Sequence, residues 1–171
     1  MGETAKGEEM NAPLRLAVFD FDSTILEEEG IDEIAGLLGP KVKKEAAEIT
    51  RKVNEGKITI RQGFRRRMKK MRGLPVSGIK KLAWRLHFKK GFRKLVSVLH
   101  RRGYKLAVVS GGFGILFREL KKREQAMRLF GAILCNEFGV RGGKLDGTYS
   151  ANVVESKDVL VRRLARKFGV R

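Results

Sequence analysis

The 171-residue chain predicts a doubly wound α/β fold, a parallel Rossmann-like sheet with helices on both faces, interrupted by a small helical insertion. Three observations carry that expectation. Leu16-Ala17-Val18-Phe19 and the run from Tyr104 to Val109 are apolar stretches without the polar alternation of a half-exposed strand, as suits a sheet covered on both sides. Helical periodicity follows each run. Each run also ends in chemistry-bearing residues, Asp20 and Asp22 after the first and Ser110-Gly111-Gly112 after the second, which is where such sheets bind ligands.

After the first strand, Ile31, Ile34, Leu37 and Leu38 share one helical face, ended by Gly39-Pro40. Val42, Ala46, Ile49 and Val53 mark a second helix that stops at Gly56. Thr59 followed by Gln62 is a capping box that opens a third, with Ile60, Phe64, Met68 and Met71 expected on its inner face. Gly73-Leu74-Pro75 breaks it, and Ser77 is expected to cap a fourth helix running through Leu82 to Leu86. A fifth, with Leu95, Val96 and Leu99, leads to the strand at Tyr104. Beyond Gly112 the pattern predicts a helix to about Leu129, a short strand at Ala132 to Leu134, a hairpin between Val140 and Val154, and a last helix from Lys157 to Phe168. The expected organisation is a flexible tail over residues 1–13, an α/β core from 14–25 and 87–171, and a helical cap over 26–86.

This length supports one domain with an insertion, burying roughly 70% of the unfolded surface. The formal net charge of +19 favours anionic partners such as phosphorylated metabolites. One cysteine, Cys135, excludes an intrachain disulfide framework and a thiolate metal cluster, and is expected as a small core residue. The first ten residues lack an apolar core, and no later apolar run is long enough to span a membrane, so a cytoplasmic protein is expected. The densest basic run, Arg65 to Arg72, has few aromatics interleaved with its charges, so nucleic acid is not the expected partner.

In F-D-F-D-S-T (Phe19 to Thr24), Asp20 and Asp22 lie on one face of an extended chain and can line one pocket. Two carboxylates that close repel unless a cation or proton lies between them, and Mg²⁺ is a suitable hard cation. The same string also describes a strand ending in a capped turn, with Asp22 or Ser23 as the cap. Ser110-Gly111-Gly112 can hold phosphate oxygens, or can simply make a tight turn. Lys157 opens a helix, an unfavourable place for a cation unless an anion lies nearby; otherwise it is a surface lysine.

Taken in order, F-D-F-D-S-T, V-V-S-G-G-F and E-S-K-D-V-L resemble the first three motifs of the haloacid dehalogenase superfamily. The stretches E-E-G-I-D-E-I-A, N-E-G-K, R-R-G-Y and G-G-K-L-D-G are similar to the phosphoserine phosphatases within it. The resemblance implies a phosphomonoester hydrolase acting on phosphoserine through an aspartyl phosphate. It makes Asp20 the nucleophile and a Mg²⁺ ligand. It makes Asp22 the acid and base, with its backbone carbonyl on the metal. Ser110, Gly111 and Lys157 would bind the phosphoryl group. From the cap, Glu29 would meet the substrate amino group and Arg67 its carboxylate.

The family has a fourth motif, G-D-G-x-N-D, which supplies another carboxylate to Mg²⁺ and is not found in this sequence. Asp158, Asp146 and Glu155 are candidate substitutes. The family strand order would then leave Leu16 to Phe19 as an open sheet edge, from which a homodimer is expected. The alternative to an enzyme is a pseudophosphatase that binds a phosphorylated ligand, a protein or other anionic partner, or nucleic acid without turnover.

Overall fold

The computed structural model describes residues 14–153 and 156–170; the expected N-terminal tail and Glu155 lie outside them. β1 (Arg15–Phe19) is followed by four helices, α1 (Gly30–Gly36), α2 (Pro40–Asn54), α3 (Ile60–Met71) and α4 (Val76–Ala83). Then come α5 (Phe92–Arg101), β2 (Tyr104–Phe113), α6 (Gly114–Arg123), a 3-10 turn over Gln125–Leu129, β3 (Phe130–Arg141), β4 (Lys144–Ser150) and α7 (Lys157–Lys167).

The strands form one sheet in the order β1-β2-β3-β4, with β1 at the edge among the described residues. β1 and β2 run parallel, with Ala17 opposite Leu106 and Phe19 opposite Val108. β3 pairs parallel with β2 over its first half and antiparallel with β4 over its second. The two-residue period of a strand sorts the side chains. Leu106 and Val108 point into the larger core with α5 and α6, while Ala107 and Val109 pack against Leu160 and Leu164 of α7. Helices therefore cover both faces, as a doubly wound fold requires.

The larger core runs without a break from the sheet into the helices between β1 and α5, through Phe21, Ile25, Ile34, Met68, Met71 and Ile79. α3 is held over the carboxyl ends of the strands from two sides. Its Phe64 ring contacts Phe113 of β2 at 5.9 Å and Tyr149 of β4 at 5.3 Å. Beyond its end, Gly73 N donates to Leu145 O (2.8 Å), Leu145 N to Leu74 O (2.9 Å) and Val76 N to Gly143 O (2.9 Å). The turn between α3 and α4 is thus stitched to the start of β4, which fixes α3 above the site.

Several local expectations change. Ile60 is 63% exposed, because the buried stripe of α3 consists of Gly63, Phe64, Arg67, Met68 and Met71 and the first turn overhangs a cavity. Ser77 does not cap α4; Pro75 occupies that position, and the helix ends at Ala83 rather than Leu86. α6 stops at Arg123, and Glu124 accepts from Ala126 N to begin the 3-10 turn. β3 is far longer than the Ala132 to Leu134 segment, because its second half gains a partner in β4. Cys135 is half-buried. No described helix is long and apolar enough to cross a membrane.

Candidate active site

β1 ends at Phe19, and Asp20 follows at the carboxyl edge of the sheet. Its Oδ1 accepts from Phe21 N (2.8 Å), and its Oδ2 accepts from Lys157 Nζ. Lys157 is the first residue of α7, where the helix dipole disfavours a cation; Asp20 is the anion that offsets this. An ammonium has three donors and no acceptor, so two remain for a ligand.

Ser23 has φ +53°, the one non-glycine residue with positive φ among the described residues. That turn sends the chain back on itself, with Ser23 N donating to Glu28 O (3.2 Å). Ser23 Oγ also donates to Glu29 Oε1 (2.7 Å), which fixes Glu29 beside the strand end. Asp22 Oδ1 accepts from Gly30 N (2.9 Å). A Cβ at Gly30 would lie 2.6 Å from Leu116 Cδ1 and 2.9 Å from Asp22 Oδ1, so any other residue there would have to displace both side chains. Burial pushes the Asp22 carboxyl up to about 7, against the pull of the Gly30 N–H and with the help of Glu29, Asp20 and Asp32.

β2 continues through Ser110-Gly111-Gly112 to Phe113, so these residues sit in a break of the β2–β3 register rather than at a helix start. Ser110 is 1% exposed, and its Oγ accepts from Gly112 N at 3.0 Å. The Gly111 carbonyl is held by Asn136 Nδ2 (2.8 Å), whose Oδ1 accepts from Val153 N (3.0 Å). Asn136 thus ties the β2 loop to the segment that leads into Lys157.

Arg67, 6% exposed, reaches in from α3. Its Nη1 donates to Thr50 Oγ1 (2.8 Å), its guanidinium lies 5.1 Å from the Phe64 ring centre, and its buried Nε has no protein partner. Asp20, Asp22, Glu29, Arg67, Ser110, Gly111 and Lys157 therefore line one cavity of about 260 Å³, roofed by Ile60 and Phe64. The residues expected from the sequence to handle the phosphoryl group and the substrate are brought together there. Asp146 is not, being bonded to Thr148 N and Oγ1 (2.8 and 2.7 Å), nor is the exposed Asp158, paired with Arg162 at 3.7 Å.

The cleft thus gathers two carboxylates, a serine and a lysine at the carboxyl ends of parallel strands, and residues 17–171 of the chain match the model of the haloacid dehalogenase-like hydrolase family. The chain belongs to that family. Among these hydrolases it is similar to phosphoserine phosphatases. That of Methanocaldococcus jannaschii is 33% identical over 163 residues, covering 94% of this chain and 74% of the relative. That of Archaeoglobus fulgidus is 34% identical over 162 residues, again 94% of this chain but 45% of the relative. The chain thus spans less than half the length of the latter. A solved structure described as a phospho-aspartyl intermediate analogue of phosphoserine phosphatase superposes with a TM-score of 0.83 at 32% identity, over 93% of this chain and 74% of that one.

Among the described residues no group of three or more His, Cys, Asp or Glu side chains is placed to hold a metal ion. Among the cavity's lining groups, the Asp20 carboxylate is a hard oxygen donor of the kind that fits Mg²⁺ when waters and phosphate complete its shell, while the raised Asp22 carboxyl is suited to hold a proton.

Proposed function

We propose that the protein hydrolyses a small phosphomonoester, with O-phospho-L-serine as substrate, through an aspartyl phosphate on Asp20. The observation that carries this is the convergence of Asp20, Asp22, Ser110 and Lys157 in one cavity that Glu29 and Arg67 also line. An Asp20 oxygen attacks phosphorus while the bond from phosphorus to the leaving oxygen breaks. Asp22, its pKa raised to about 7 by burial, gives its proton to that oxygen. A water, deprotonated by Asp22, then attacks the aspartyl phosphate and releases inorganic phosphate and free Asp20. Ser110 Oγ and the spare donors of Lys157 hold the transferring oxygens. Mg²⁺, held by Asp20 and the Asp22 carbonyl, would supply charge neutralisation at the phosphoryl group. Glu29 and Arg67 would take the ammonium and the carboxylate of the substrate, an Arg fork being suited to a carboxylate. Asp146 and Asp158 are given no metal role.

The decisive experiment is phosphate release from O-phospho-L-serine with Mg²⁺, against an Asp20→Asn variant and an EDTA control. Turnover lost in both controls supports the proposal; release that survives Asp20→Asn sinks it. We also propose self-association through the outer edge of β1, whose backbone pairs only with β2 among the described residues. A monomer by light scattering at micromolar concentration would reject this.

A further inference from the structure

Asp32 and Arg67 are two of the five polar or charged residues buried among those described, at 8% and 6% exposure. They come from different helices, α1 and α3, and Thr50 of α2 stands between them. Thr50 Oγ1 lies 3.1 and 3.3 Å from the two Asp32 carboxylate oxygens and 3.3 Å from Ala46 O, so its single proton has its shortest acceptor in Asp32. That turns a lone pair of the same oxygen toward Arg67, where it accepts from Nη1 at 2.8 Å. The Phe64 ring closes one side of the guanidinium. With Nη1 committed, Nε is a buried donor without a protein partner on a side chain that lines the cavity, and a buried donor without an acceptor is costly. The carboxylate charges that Arg67 feels are those of Asp32, Glu29 and Asp22, in that order.

We infer that Thr50, oriented by Asp32, is a positioning residue that holds the Arg67 guanidinium in place at the cavity wall, and so sets selectivity for phosphomonoesters whose leaving group carries a carboxylate. This rests on the activity proposed above and adds residues that touch neither the phosphoryl group nor the reacting atoms. The hydroxyl is the only part of Thr50 the role needs. Thr50→Val keeps the shape and removes the acceptor; Thr50→Ser keeps the acceptor.

The test compares O-phospho-L-serine with O-phosphoethanolamine, which has the same ammonium and phosphate but no carboxylate. Thr50→Val should raise KM for the first about tenfold, the scale of one lost hydrogen bond to a charged group, and leave both constants for the second within about twofold. Thr50→Ser should restore the discrimination. Equal losses on both substrates would show a merely structural role and overturn the inference, as would no loss on either. If the wild-type protein turns over neither compound, the activity proposal fails, and titration calorimetry of the same two compounds decides this one: the inference then stands only if Thr50→Val weakens O-phospho-L-serine binding selectively, and binding of neither compound overturns it.

Discussion

Lys157 Nζ donates to Asp20 Oδ2 across 137 positions of sequence, joining the start of α7 to the end of β1. The pair is substantially open to solvent, with side-chain exposures of 54% and 38%. Exposed pairs add about 0–1 kcal/mol to stability, so its value lies in where it puts the two charges.

Lys157→Met should therefore separate function from folding. The melting temperature should stay within about 2–4 °C of the parent, the shift expected of about 1 kcal/mol in a chain this size. Phosphate release should fall by about 10²–10³-fold, as when a preorganised donor to a developing charge is removed. A melting curve and kcat on the same preparation check both; an unfolded variant, or one with full activity, would refute the assignment.

Gly112→Ala tests the packing of the end of β2. A Cβ there would lie 2.7 Å from Asp22 Oδ2 and 3.2 Å from Ser110 Oγ, so it must displace Asp22 or Ser110. Activity should drop by at least about tenfold, while Gly111→Ala, whose Cβ meets only Phe64 Cζ at 3.8 Å, should be milder. Equal effects of the two substitutions would contradict the geometry.

Thr59→Ala tests the capping box at the start of α3. Thr59 Oγ1 accepts from Gln62 N (3.2 Å), and Gln62 Oε1 accepts from Thr59 N (2.9 Å). Removing the cap should cost about 1 kcal/mol, visible as a lower denaturant midpoint at unchanged slope. Thr59→Asp should retain most of the stability.

Much of this site could be read from the sequence because it is local. Asp20 and Asp22 follow a recognisable buried strand, Ser110 follows another, and Lys157 begins a periodic helix. Thr50, Asp32 and Asn136 gave no such signal. Each acts on a residue far from it in sequence, Thr50 on Arg67 and Asn136 on Gly111, and that proximity exists only once three helices or two strands have packed. Ile60 misled for a related reason. Its place in the i, i+4 pattern is right, but the helix there projects beyond the core and over the cavity, so its burial depends on what occupies the cavity. The length of β3 was hidden because Glu137 and Gly139 look like a strand's end, whereas β4 supplies the missing partner for that half.

Asp22 gives a prediction whose sign depends on its proton. Its carboxyl is raised from 3.8 to about 7 by burial, so between those two values the folded protein binds a proton that the unfolded chain has released. Stability must then fall as pH rises across that window, because the proton uptake is greater in the native state. Below about 3.8 both states are protonated and Asp22 contributes no slope; above about 7 the full cost of a buried carboxylate is present. Asp22→Asn removes that cost while keeping an oxygen for the Gly30 N–H. In EDTA, the variant should be more stable than the parent at pH 8, with the difference shrinking steadily toward pH 5. Denaturant midpoints across that range check it, and a difference that is flat or grows toward low pH would show that Asp22 is already ionised in the folded protein at pH 5.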